Sequence, residues 1–336
     1  MKRILLLALV GAAPVGALIA QTNNQAIIDR SQQPTPPPVP GAATPAATDE
    51  KGDLDGGTQR IAEARKRPFK LTFGYDLAVN YTSNVFLQST KVADAVVFAH
   101  TLTTSAEFNS FAVGNTLVTP TAGLVYQHYN HGLGTGDENL KSLDFDSYSI
   151  PLALRVRYGN NWEFGLSVTP NAVYTIEGHP SYDLTYKAVT TAVSVRKLIS
   201  LSKNQILSLG GSVGYAKTDS VVPSIVLLSY RADRNDKIDT AIDAGYYYLM
   251  DRWVFGSYAR LSYSDYLHYE EGNHSKVDRC DLNGSVGLSV SYNINSWASA
   301  RATTSYEWRT PQGNSFVDYT YETANLGVGV SLSASF

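Results

Sequence analysis

Six histidines, one cysteine and scattered carboxylates are the groups in this 336-residue chain that could carry catalysis or hold a metal. His274 and Ser275, preceded by Asn273, form an adjacent His–Ser–Asn set, the residue types that a lipid-cleaving base and nucleophile would need. They stand in a stretch that reads as a polar loop, so exposed loop residues are the simpler reading. His268, Glu270 and Glu271 cluster in the same loop, and His131 and His179 are expected in two others. None has HExxH-type spacing, and Cys280 alone can make neither an intrachain disulfide nor a thiolate cluster. The sequence therefore predicts no catalytic residue, no cofactor and no metal, and the chain reads as a non-enzyme.

A second set of charged residues is ordered by position. Lys70, Asp76, Glu107, Arg155, Arg157, Glu163, Asp239, Asp243, Arg260, Asp281, Arg301 and Glu307 share one parity within segments whose apolar residues take the other. A strand sends alternate side chains to opposite faces, so these charges would line one face of a sheet and the apolar residues the other. The alternation is clearest where Phe69, Leu71, Phe73, Tyr75, Leu77, Val79 and Tyr81 interleave with polar or small residues. It returns near 94–109, 115–129, 143–158, 161–176, 182–199, 205–217, 236–250, 252–266, 276–292, 296–309 and 317–336. The strand at 182–199 changes phase near Ala188, and Cys280 falls on the apolar parity as a small wall residue.

The segments needed to position such a lining number twelve, joined alternately by short and longer connections. Gly159-Asn160-Asn161, Ser200 to Asn204, Met250-Asp251-Arg252, Asn293 to Ser296 and the segment around Ser110 to Asn115 are short. Ser83–Ala93, Asn130–Ser142, Thr218–Asn235, Leu267–Ser275 and Thr310–Phe316 are longer, and Glu177–Ser181 belongs with them by position. Tyr158, Trp162, Trp253, Tyr292, Trp297 and Phe336 flank the short turns or the terminus, whereas Tyr81, Tyr148, Tyr174, Tyr182, Tyr263 and Trp308 sit at the other strand ends. Two aromatic belts are what a membrane span requires, because amphipathic rings settle at head-group depth. The last strand is apolar at Leu326, Val328, Val330, Leu332, Ala334 and Phe336, with small or polar residues between. The fold class expected is all-β: a transmembrane antiparallel up-and-down β-barrel of twelve strands with a disordered N-terminal arm. Its lumen would be wider than that of an eight-stranded barrel and narrower than that of the large porins. Charges on its inner face could orient a polar solute or simply brace the wall as ion pairs; Arg157 should face Glu163, and Asp243 should face Arg260.

Residues 1–20 carry Lys2 and Arg3, an apolar run and a small-residue exit, the pattern of a secretory signal peptide. Residues 21–67 form a proline-rich arm that cannot bury enough apolar surface to offset its ordering entropy, with a short helix possible over 58–67 that could plug the barrel. The barrel would occupy residues 68–336. The net charge of −3 and the lack of a basic stripe argue against a nucleic-acid partner.

The signal peptide, the alternating strands and the terminal strand ending in Phe336 resemble Gram-negative outer-membrane β-barrel proteins. The segment Tyr81-Thr82-Ser83-Asn84-Val85-Phe86-Leu87 resembles uncharacterised porin-like barrel families. Ala334 departs from the pattern, which usually has a bulkier residue. The resemblance implies an outer-membrane location with both the arm and the C-terminus in the periplasm. It implies contact with outer-membrane lipid, and a barrel-assembly machinery that reads Phe336. The arm could meet a periplasmic or cell-wall partner. A passive porin-like channel for ions or small polar solutes follows first; a non-conducting structural or accessory barrel, for example in polysaccharide export, follows second; a lipid-modifying enzyme follows last.

Overall fold

A computed structural model describes residues 68–87, 93–134, 140–159, 161–176, 183–220, 232–271, 275–276, 278–312 and 320–336. The signal peptide, the arm with its 58–67 helix, Asn273, His179, His274 and Tyr182 lie outside the described residues.

The wall consists of β1 (Phe69–Thr82), β2 (Ala95–Phe108), β3 (Thr116–Gly134), β4 (two halves, Phe145–Ser149 and Leu152–Tyr158), β5 (Trp162–Thr175), β6 (Asp183–Ser202), β7 (Gln205–Ser220), β8 (Lys237–Met250), β9 (Trp253–Tyr266), β10 (Arg279–Asn293), β11 (Ala298–Pro311) and β12 (Tyr321–Ser335). Each pairs antiparallel with the next, and β12 closes on β1 from Thr72↔Ser335 to Thr82↔Asn325, giving a closed barrel of 12 strands. Closure leaves no sheet edge, so the backbone hydrogen bonds of the wall are met within the protein. At the end holding Phe336 the connections are tight. Gly114, Gly159, Asn161 and Asp251 take positive φ there, which Gly, Asn and Asp tolerate best. A short strand, Phe111–Val113, folds back on the start of β3 and lengthens that hairpin beyond the connection read from the sequence.

Two details depart from the expected pattern, and a third, the phase change read in β6, is given its structural cause. β3 runs to Gly134, so His131 is a buried strand residue rather than a loop residue. Its backbone N–H donates to Asp144 Oδ1 at 2.6 Å, a contact no local propensity could reveal. β4 breaks at Ile150–Pro151 because Pro151 has no N–H; Ile150 N–H instead donates to Pro170 O (3.0 Å) and Gly123 N–H to Pro151 O (2.8 Å), so the wall stays bonded. The phase change in β6 is a bulge: Val173 pairs with Tyr186 but Tyr174 with Leu184, leaving Thr185 as an extra residue.

The two faces of the wall differ in the sense opposite to a water-soluble sandwich. Leu102 (50% exposed), Val193 (58%), Ile242 (62%), Leu288 (58%) and Leu326 (60%) stand on the outer face. The buried residues lie mostly on the inner face, at the end carrying the longer connections. There Val85, Phe86, Leu140, Leu143, Phe145, Val173 and Tyr186 form one apolar cluster. Leu140 and Leu143 enter it from a 3-10 turn, Leu140–Leu143, so the segment between β3 and β4 folds inward. An exposed apolar band of this extent on a closed barrel is removed from water only by lipid.

Candidate functional site

The lumen has two zones. In the turn-side and middle zone the charges are partly exposed and paired across strands. Arg155 Nη2 donates to Glu107 Oε2 at 2.8 Å, and its Nε lies 3.8 Å from Glu163 Oε1. Arg157 sits opposite Glu163 in the β4–β5 register, yet Arg155 makes the ion pair, because a long side chain reaches a diagonal neighbour as readily as a facing one. Lys70 faces Glu107 across β1 and β2. On another arc, Arg301 Nη2 donates to Asp76 Oδ1 at 2.6 Å, and Ser331 Oγ donates to Asp76 Oδ2. Glu307 accepts from Asn325 Nδ2 at 3.1 Å.

Asp243 and Arg260 face each other across β8 and β9, but no salt bridge joins them; Asp243 Oδ2 and Arg260 Nε are buried with no protein hydrogen-bond partner. A Cβ at Gly210 would lie 2.6 Å from Asp243 Oδ2, so that glycine makes room for the carboxylate. Tyr258 likewise lies where a Cβ on Gly287 would stand, which flattens its ring against the wall. Both rings and charges are thus drawn back toward the wall rather than filling the bore.

The loop-side zone is packed. Arg279, 1% exposed, places its guanidinium 4.0 Å from the Tyr266 ring and 4.9 Å from the Tyr269 ring. Its Nη2 and Nε donate to Asp281 Oδ2 at 2.8 and 3.2 Å. Arg309 Nη1 lies 3.8 Å from the same oxygen, and its guanidinium lies 4.8 Å from the Tyr321 ring. Arg234 lies over Tyr269, and Lys237 lies over Tyr266 and 3.3 Å from Asp239. With the apolar cluster on the other arc, this cationic–aromatic layer packs the inner face at the loop-side end of the barrel. Asp239 and Asp281, two of the twelve charges picked from the sequence, belong to this layer; the other ten line the zone below it. The sequence predicts a solvated loop over 267–274, but Tyr269 is fully buried, its ring edge-on to Tyr266 and packed by Arg234 and Arg279.

Outside, Trp162 and Phe164 stack at 6.2 Å, Trp253 and Tyr292 meet tilted at 4.7 Å, and Phe336 meets Phe73 edge-on at 6.2 Å, all near the turn side. Tyr158 and Trp297 are exposed beside them. Tyr126, Tyr148 and Tyr174 form a chain near the other end, with Tyr306 and Trp308 on a separate arc. Cys280 faces outward as its parity required, and its Sγ donates to Asp265 Oδ1 at 3.5 Å. The chain is a closed twelve-stranded transmembrane β-barrel.

No protein-family model and no curated protein matches the chain. Among solved structures it is similar to an outer membrane channel from Pseudomonas putida F1 (8% identity, 84% of this chain and 100% of that one, TM-score 0.45). It is also similar to the β domain of the Bordetella autotransporter BrkA (10%, 80% and 100%, 0.41). A third likeness is to the KdgM porin in complex with disordered oligogalacturonate (8%, 77% and 98%, 0.39).

Sequence reasoning missed Arg279, Arg309 and Tyr258. The signal was present: Arg279 shares the parity of Asp281, and Arg309 that of Glu307. It also missed an outward polar group near the loop side, in which His128 Nδ1 lies 2.7 Å from Asp146 Oδ1 and Tyr126 Oη donates to the same oxygen at 3.2 Å.

Proposed function

We propose that the protein is a passive channel of the outer membrane of a Gram-negative-type bacterium, conducting ions or small polar solutes along its charged lumen. The observation that carries this reading is the set of partly exposed charges on the inner face, Asp76, Glu107, Arg155, Glu163 and Arg301, joined by the half-buried Asp243 and Arg260, which face each other without an ion pair. Charges left partly exposed inside a barrel require water, and a hydrated lumen is the first condition for conduction. Carboxylates and guanidinium groups interleave along the lining, so a strong preference for one ion sign is not expected. The packed loop-side layer would then set the narrowest point of the path. The short turns, the arm and Phe336 face the periplasm in this reading, the barrel contacts outer-membrane lipid, and the assembly machinery engages Phe336. The arm serves as a spacer or meets a periplasmic or cell-wall partner.

The packed layer also favours a second reading, a structural or accessory barrel of an envelope or export system that does not conduct. Ion conductance of the purified, folded chain in planar bilayers separates the two. Stepwise openings support the channel; a folded barrel that inserts and stays silent removes it and leaves the accessory role.

A further inference from the structure

We infer that Asp233, Asp236 and His268 form a binding site for a divalent transition-metal cation at the loop-side rim, tying the segment before β8 to the segment after β9. This does not rest on the channel reading. The β8–β9 hairpin brings the residues together. Lys237 pairs with Tyr266, and one step beyond, Leu267 N–H donates to Asp236 O at 2.9 Å. A turn then returns Asp233 to the same place, with Asp236 N–H donating to Asp233 O at 3.0 Å.

The donor atoms have the spacing of ligands around one ion. His268 Nδ1 is 3.9 Å from Asp233 Oδ2 and 3.9 Å from Asp236 Oδ2, and the three atoms all lie within 4.8 Å of one another. Separations of 3.9 Å are too long for hydrogen bonds. A point equidistant from three atoms so placed lies no more than about 2.5 Å from each, within a few tenths of an ångström of metal–oxygen and metal–nitrogen bond lengths. His268 Nδ1 is shielded from solvent and has no hydrogen-bond partner, although the rest of the ring is partly exposed. Asp236 is held from behind. Its Oδ1 accepts from Thr218 N–H (2.6 Å) and Thr218 Oγ1 (2.8 Å), and Tyr215 Oη donates to Oδ2 at 3.2 Å. Such outer hydrogen bonds fix a ligating carboxylate in position.

One imidazole and two carboxylates suit Zn²⁺ or Mn²⁺, with the remaining coordination positions left to water. The bound cation would also relieve the repulsion between two adjacent carboxylates and tie the 233–236 turn to His268.

The test is calorimetric titration of the full, tag-free chain, folded in detergent and stripped of metal, with ZnCl2, MnCl2 and CaCl2 in turn. Saturable binding of Zn²⁺ or Mn²⁺ at one ion per chain is expected, weakened at least tenfold in both His268→Ala and Asp233→Asn. The thermal midpoint should rise with the cation in the wild type and not in either variant. Heat-modifiable migration on gels establishes that each variant is folded, and Asp233 lies on the exposed side, away from the Thr218 contacts. Absence of saturable Zn²⁺ or Mn²⁺ binding in the wild type, binding of Ca²⁺ alone, or undiminished binding in both folded variants would overturn the assignment. The first of these results would reduce the cluster to an ion pair.

Discussion

Removing the Arg279 guanidinium is the perturbation whose consequence can be worked out most fully. The side chain is 1% exposed, makes two hydrogen bonds to Asp281 and lies against two tyrosine rings. In Arg279→Ala, Asp281 stays buried at 4% side-chain exposure, with Arg309 Nη1 at 3.8 Å and the Lys237 charge still acting on it. Breaking one side of a buried ion pair costs about 3–5 kcal/mol. Loss of the two ring contacts adds ~1 kcal/mol or more. Arg309 and entering water offset part of this, so the net loss should be about 3–4 kcal/mol. Reversible urea unfolding of the barrel in lipid vesicles reads it, as a lower midpoint with an unchanged slope. Arg279→Met combined with Asp281→Asn should recover at least half, since replacing both charges leaves nothing uncompensated. A loss below ~1 kcal/mol in the single variant would refute the claim that Arg279 and Asp281 form a buried, packed pair.

Other consequences follow from the wall and its lining. Deleting Phe336 removes the mutual Leu71–Phe336 backbone pair (2.9 and 3.2 Å) and the ring contact to Phe73, and should lower outer-membrane yield severely without altering conductance of the barrel that does assemble; normal yield on quantitative blotting would contradict this. Gly287→Ala pushes the Tyr258 ring off the wall and should destabilise the barrel by about 1–3 kcal/mol in urea unfolding, with no effect counting against the flattened ring. Arg155→Ala with Arg301→Ala frees Glu107, Glu163 and Asp76 and should shift the reversal potential in a salt gradient toward cation preference; an unmoved potential would place these residues off the conduction path. Removing residues 21–67 should leave conductance unchanged, whereas a rise would identify the arm as a plug.

The barrel was legible because its signal repeats. Alternation in β1, β5 and β12 is dictated by burial on one side and lipid on the other, and twelve such segments admit one architecture. The same parity put Asp76 and Arg301, or Glu107 and Arg155, on one face before any pairing was known. What parity cannot supply is height and depth. Asp281 carries the same pattern as Asp76 and Asp239, yet it alone of the three is buried, held between Arg279 and Arg309, while the other two stay partly exposed. Val85, Leu140 and Leu143 look like ordinary loop residues in the sequence, and their burial depends on joining one cluster with Val173 and Tyr186 from distant strands. Tyr269 went unread for the same reason. The Asp233–Asp236–His268 group lay within reach, since a two-residue turn at Asp251 fixes the β8–β9 register and so sets His268 beside the residues preceding Lys237.

Single-channel recording of the purified full chain in planar bilayers tests the central claim most directly, with wild type and Arg279→Ala compared under the same salt. The account predicts discrete, reproducible openings for the wild type and a larger unit conductance once the loop-side layer is loosened. Two folded, inserted proteins that both remain silent would contradict it.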